Sequence, residues 1–146
     1  MGRRRPAFTL VEILIVVVLL AILAATIVPQ FSTSTKDAQE SAAAFSLQGM
    51  RSQIEIYKAQ HAGQTPATLD KLTVRTNAQG TSGTDAASYP FGPYMPFVPE
   101  NPLNQERSVE AIGSSPPSGV GASTSGWLYH STSGNVFLNH ADWLDR

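Results

Sequence analysis

A single uninterrupted apolar stretch, Phe8 to Val28, limits what this chain can be more than any other feature. Its 21 residues carry one charge, Glu12. A helix of that length rises roughly 31 Å, the thickness of a bilayer's hydrocarbon core, so the stretch is fit to cross a membrane. Arg3, Arg4 and Arg5 stand immediately before it. A basic cluster beside a span is retained on the cytoplasmic side, so the C-terminal part is expected on the other side. A charge in hydrocarbon costs about 2.5–3.5 kcal/mol even on lenient scales, which makes Glu12 a functional residue in search of a partner. A secretory signal peptide also starts basic and turns apolar. Against it stand the length of the run, the lack of an A-x-A site at its end, and the carboxylate near its start.

The chain as a whole is nearly neutral. Lys plus Arg is 10 and Asp plus Glu is 11 over 146 residues, and residues 8–146 hold seven basic and eleven acidic groups, a net charge of −4. No basic patch interleaves with aromatics, so nucleic acid is not an expected partner. There is no cysteine, hence no disulfide framework and no thiolate metal site. The length suits one small domain beside an anchor.

Helical character continues past Pro29 with few breakers before Gly63, so one helix is expected from Phe8 to about His61, roughly 80 Å long. Ala43, Leu47, Met50, Ile54, Tyr57 and His61 recur at spacings of three and four and should cover the core of a head. A second stripe, Ala38, Ala42, Phe45, Gly49, Ser52 and Ile56, is mostly small and suits close approach by other helices. Pro29 lacks an N–H and would leave the carbonyl of Ala25 unpaired, so a helix bend is expected there.

"GQTPATLDKL" reads as a turn and a short helix, with Thr68 as N-cap and Leu69 and Leu72 turned inward. Residues 73–88 read as an exposed loop and residues 105–125 as low-complexity loop. In "YPFGPYMPFVPENPLN" prolines recur every third residue, with Phe91, Tyr94 and Phe97 one position later. A polyproline II screw would put prolines on one edge and aromatics on the next, as a stiff loop laid on the core or as a ligand for a proline-recognising module. "GWLYHSTSGNVFLNHA" predicts a β-hairpin, Trp127–His130 with Asn135–Asn139 around a turn at Ser131–Gly134. Trp127, Tyr129, Val136 and Phe137 then give apolar surface to the helix.

Catalytic signals are absent. His61, His130 and His140 form no H-E-x-x-H pair, Ser82 sits in no G-x-S-x-G elbow, and Gly119-Val120-Gly121 follows no strand. Asp142 and Asp145 beside Trp143 could contribute to a calcium loop, which wants several oxygen ligands in a short span, but two carboxylates close to a chain end are more often solvated. No enzyme activity is expected.

The N-terminal residues "RRRPAFTLVEILIVVVLLAILAATIVP" resemble the class III signal of type IV pilin-like prepilins. The long helix ending in "YKAQHAGQTPATLDKL", with the Trp127 hairpin, resembles a major pseudopilin of type II secretion. The resemblance implies an α+β, type IV pilin-like fold. In it a long N-terminal helix, transmembrane in its first half and amphipathic in its second, packs on a small C-terminal β-hairpin or sheet head. It implies a cytoplasmic leader over residues 1–7, a transmembrane and polymerisation helix over 8–29, and a periplasmic head over 30–146. Prepilin peptidase would cut between Ala7 and Phe8 and methylate the Phe8 amine. The family usually has glycine before the cut and often where Ala21 stands. In the filament the family pairs Glu12 with the Phe8 amine of a neighbour; in a lone subunit Glu12, one turn from that amine, could pair locally.

The implied partners are further copies of the chain, other pseudopilins, an inner-membrane platform protein and a cytoplasmic ATPase. The implied location is the inner membrane, single-pass, with a pseudopilus in the periplasm. The calcium-binding acidic loop of many major pseudopilins is not recognisable, so that site is not carried over; no cofactor is expected, with calcium in the head left open. A type IV pilus or DNA-uptake subunit shares the same N-terminus, although many pilins close a loop with two cysteines. A membrane-anchored binding module is the reading from a different class.

Overall fold

A computed structural model describes residues 8–145, without the side chains of residues 28–32. The leader and Ala7 therefore lie outside the described residues. Helix α1 spans Leu10–Gln60 and is unbroken through position 29; the side chain of Pro29, where a bend is expected, is outside the description. The chain divides into two compact units, one ending at Ala38 and the other beginning at Gln39.

In the second unit the stripe read from the sequence is the buried one. Ala43, Leu47, Met50, Ile54, Tyr57 and His61 are all buried, while Ala42, Phe45, Gly49, Ser52 and Ile56 are exposed, as is Ala38 at the end of the first unit. Spacings of three and four keep the first set on a single face, and burying that face holds a helix that propensity alone would not. Arg51 ties this part of α1 to the sheet, donating to the Val136 carbonyl at 3.2 Å. The helix closes where Ala62 (φ 52°) and Gly63 (φ 82°) turn left-handed and the Gly63 amide reaches back to the Lys58 carbonyl at 2.8 Å. Thr68 stands at the N-cap of a short 3-10 helix, Leu69–Thr73, but makes no side-chain capping bond; Leu69 and Leu72 are buried as expected.

Two small sheets complete the unit. In the first, β1 (Arg75–Thr76) pairs antiparallel with β2 (Ser82–Gly83). In the second, β3 (Val109–Ala111), β4 (Trp127–His130) and β5 (Asn135–Leu138) lie in that order, with β3 parallel and β5 antiparallel to β4. The predicted hairpin is β4–β5, with Trp127 opposite Leu138 and Tyr129 opposite Val136, and Gly134 takes φ 76° in its turn. Strand side chains alternate, so Trp127, Tyr129, Val136 and Leu138 join the helix in the core. Phe137 was expected there too. It pairs with Leu128 on the opposite face, and it is buried there.

Two segments read as loops contain strands. Residues 73–88 hold β1 and β2, and Thr76 is fully buried, its hydroxyl 3.0 Å from His61 Nε2. The intervening turn is wound around Asn77, whose side-chain oxygen accepts from the amides of Gln79 (3.1 Å) and Thr81 (2.9 Å). Residues 105–125 hold β3, and side-chain hydrogen bonds fasten the Gly- and Ser-rich run that follows. Glu110 accepts from the Ala122 amide at 2.6 Å and the Ser125 hydroxyl at 3.0 Å. Asn139 donates to the carbonyls of Ala122 and Ser125 and accepts from the Gly121 amide, each at 2.8 Å. That run covers the second face of the sheet: a Cβ on Gly121 would fall 2.6 Å from Leu128.

The proline-aromatic segment lies on the core without a continuous polyproline screw. Gly92 takes φ 71°, outside the polyproline II region, and only glycine fits there, since a Cβ would meet the Val74 carbonyl at 2.7 Å. Phe91 sets its edge to His61 at 5.2 Å, and Tyr94 lies 5.5 Å from Tyr57 and donates to Gln60 at 2.7 Å. Phe97 instead is 55% exposed under the Arg107 guanidinium, while Val98 is buried.

Tyr129 is buried and donates to the Pro66 carbonyl at 2.6 Å, and burial raises its phenol well above the usual range. An unfolded tyrosine ionises near pH 10. The contribution of Tyr129 to stability is therefore intact below that pH and is lost as pH rises above it toward the folded value. In detergent, the unfolding midpoint should fall steeply above pH 10, and Tyr129→Phe should flatten that decline.

Candidate functional site

The first unit consists of the start of α1. Leu10–Ile27 has a mean hydropathy of 3.1 and is long and apolar enough to cross a membrane. Its polar groups are served locally, as a span in lipid requires: the Thr26 hydroxyl donates to the Ile22 carbonyl at 3.0 Å. Glu12 lies in the first turn, one turn after Phe8, whose ring is 81% exposed.

Thr9 and Glu12 close a reciprocal cap. Glu12 Oε2 accepts from the Thr9 amide at 3.0 Å and from the Thr9 hydroxyl at 2.9 Å, and the Glu12 amide donates to Thr9 Oγ1 at 3.2 Å. This is the capping box, in which residues three apart satisfy donors that the first helical turn leaves open. The sequence carries its signal, Thr-x-x-Glu before an apolar run. The partners expected for Glu12 are Phe8 amines, a neighbour's or its own; the one present among the described residues is Thr9. Both Thr9 bonds fall on Oε2. Among the described residues Oε1 accepts none, so a carboxylate with room for about four acceptor contacts has half its capacity open.

The histidines have structural partners. His61 is buried with Nδ1 2.8 Å from the Tyr57 carbonyl and its ring stacked on Tyr57 at 3.8 Å. His130 Nδ1 lies 2.8 Å from the Ser133 hydroxyl in the hairpin turn. His140 Nδ1 is 3.8 Å from an exposed Asp142. Among the described residues no three His, Cys, Asp or Glu side chains converge as metal ligands.

The prokaryotic N-terminal methylation motif matches residues 2–28. The chain has a type IV prepilin-like N-terminus. The match takes in the basic cluster, Ala7, Phe8, the Thr9–Glu12 cap and the whole span. Comparison with curated proteins and with solved structures gave no match. The motif implies processing by prepilin peptidase and assembly into a filament. A long N-terminal helix with an apolar span, followed by small sheets, is the α+β arrangement of a type IV pilin-like fold.

Removing a capping side chain costs about 0.5–2 kcal/mol. Thr9→Ala in micelles should therefore speed hydrogen exchange at the Glu12 amide about fivefold while leaving amides beyond Val16 protected. Unchanged exchange at residue 12 would show that the cap does not form.

Proposed function

We propose that this chain is a structural subunit of a type II secretion pseudopilus, cut by prepilin peptidase between Ala7 and Phe8 and methylated at the Phe8 amine. The observation that carries the reading is the carboxylate of Glu12. It is held one turn from Phe8 at the head of an otherwise uncharged span, under a methylation motif covering residues 2–28. Cleavage creates an amine at Phe8. The amine of a neighbouring copy docks on Glu12 Oε1 while Thr9 keeps Oε2, so pairing adds donors to the carboxylate without dismantling its cap. Removing one member of such a buried pair costs about 3–5 kcal/mol, because the other charge stays uncompensated. The pair therefore fixes the register between subunits.

In this reading Arg3–Arg5 stay cytoplasmic, residues 8–29 cross the inner membrane, and residues 30–146 form the periplasmic head. A cytoplasmic ATPase and a membrane platform protein drive polymerisation with other pseudopilins, and the filament supports export of folded proteins. The absence of cysteine favours a pseudopilus over pili whose subunits close a disulfide loop.

Intact mass of the protein from native membranes is expected to show a chain beginning at N-methyl-Phe8; a chain retaining residues 1–7 would favour a tethered binding module. Glu12→Ala should insert normally and lose most filament yield. Loss of protein export on deleting the gene, with surface pili unchanged, separates the pseudopilus from a pilus.

A further inference from the structure

The exposed face of α1 carries an apolar groove that the head leaves open. Phe45, 82% exposed, and Phe97, 55% exposed, flank a cavity of about 280 Å³ lined also by Gly49, Met50, Tyr94 and Met95. Gly49 opens one wall: a Cβ built there meets nothing within 4 Å. A large ring thus stands one helical turn before a notch that has no side chain of its own.

We propose that this groove receives Phe45 of a second copy of the chain, as the contact between heads within the assembled filament. The proposal rests on the pseudopilus reading, and it names a contact that the Phe8–Glu12 pair does not supply. Three arguments select a second copy.

Phe45 and Gly49 lie on the same helix as Glu12, and Phe8 stands two residues before the first residue of that helix. A helical filament repeats one axial step for every residue of its subunit. Pairing Glu12 with a neighbour's Phe8 sets a step of about one helical turn, roughly 6 Å, and a step of that size also separates Phe45 from Gly49.

The groove is small. Ten residues line it, against about 20–30 a side in an interface that holds a stable dimer. It suits a contact made only once the membrane helices hold the copies together at high effective concentration.

Finally, ring and notch sit at different places on one surface. Their pairing is heterologous and propagates without closing, as a filament requires.

The chain contains no cysteine, so introduced thiols report without background. Two differently tagged full-length chains, Phe45→Cys and Gly49→Cys, are co-expressed with the assembly machinery, oxidised in membranes and scored for a dimer carrying both tags. The expected yield is at least tenfold above that of a Val120→Cys pair, a residue 57% exposed on another segment. Normal filaments in a pelleting assay with no more dimer than the Val120 control would overturn the groove contact and leave the pseudopilus reading standing. No filaments from the unsubstituted chain would overturn both. A Phe45 thiol linked instead to a different protein would overturn the second copy as occupant.

Phe45→Ala is expected to lower filament yield at least fivefold with an unchanged unfolding midpoint, and Phe45→Leu to recover most of it. Normal yield from Phe45→Ala would count against the proposal.

Discussion

One helix is apolar almost all round in its first part, long and apolar enough there to cross a membrane, and apolar along one buried stripe further on, and the head follows from that stripe. Over Leu10–Ile27 Glu12 is its one charge, and the Thr26 hydroxyl is closed onto the Ile22 carbonyl within the segment. From Ala43 onward a single stripe is apolar and continuous, and it is this stripe that gives the small sheets a surface to bury. Short strands of two to four residues do not hold together alone in water. Trp127, Tyr129, Val136 and Leu138 have a core because Leu47, Met50, Ile54 and Tyr57 stand opposite them.

Parts of the head that rest on that stripe were legible in the sequence, and parts fastened by polar side chains were not. The helix, its buried face, the two inward leucines after Thr68 and the β4–β5 hairpin all announce themselves through periodicity, which is a property of neighbouring residues. β1, β2 and β3 do not. Each is too short to alternate visibly, and β1 and β3 are held in part by side chains remote in sequence. Thr76 rests on His61, Glu110 on Ala122 and Ser125, and the loop before β4 on Asn139. Composition alone makes such segments look like linker. Phe137 shows the complementary error: its apolar character was read correctly, but its face follows from the pleat, which turns it away from Val136 and Leu138.

At the start of α1 the local sequence held more than was taken from it. Thr9 and Glu12 are three residues apart before an apolar run, and the cap they form changes the meaning of the charge. A carboxylate in hydrocarbon with no donors would be a heavy penalty on every copy waiting in the membrane. With Thr9 serving Oε2, part of that penalty is removed by the chain itself.

The part that remains gives the site its direction. Oε1 still lacks a donor among the described residues, so a copy alone in lipid keeps a residual cost that a correctly placed ammonium removes. A fully satisfied carboxylate would gain little from a neighbour, and a wholly unsatisfied one would draw its proton back or drag water into the span. Half satisfaction lies between these limits. In the proposed pseudopilus it would let the subunit reside in the membrane as a monomer while keeping a reward for a partner that brings a charged amine to Glu12. On that proposal the partner must itself have lost the residues before Phe8, so the same arrangement would discriminate against unprocessed chains.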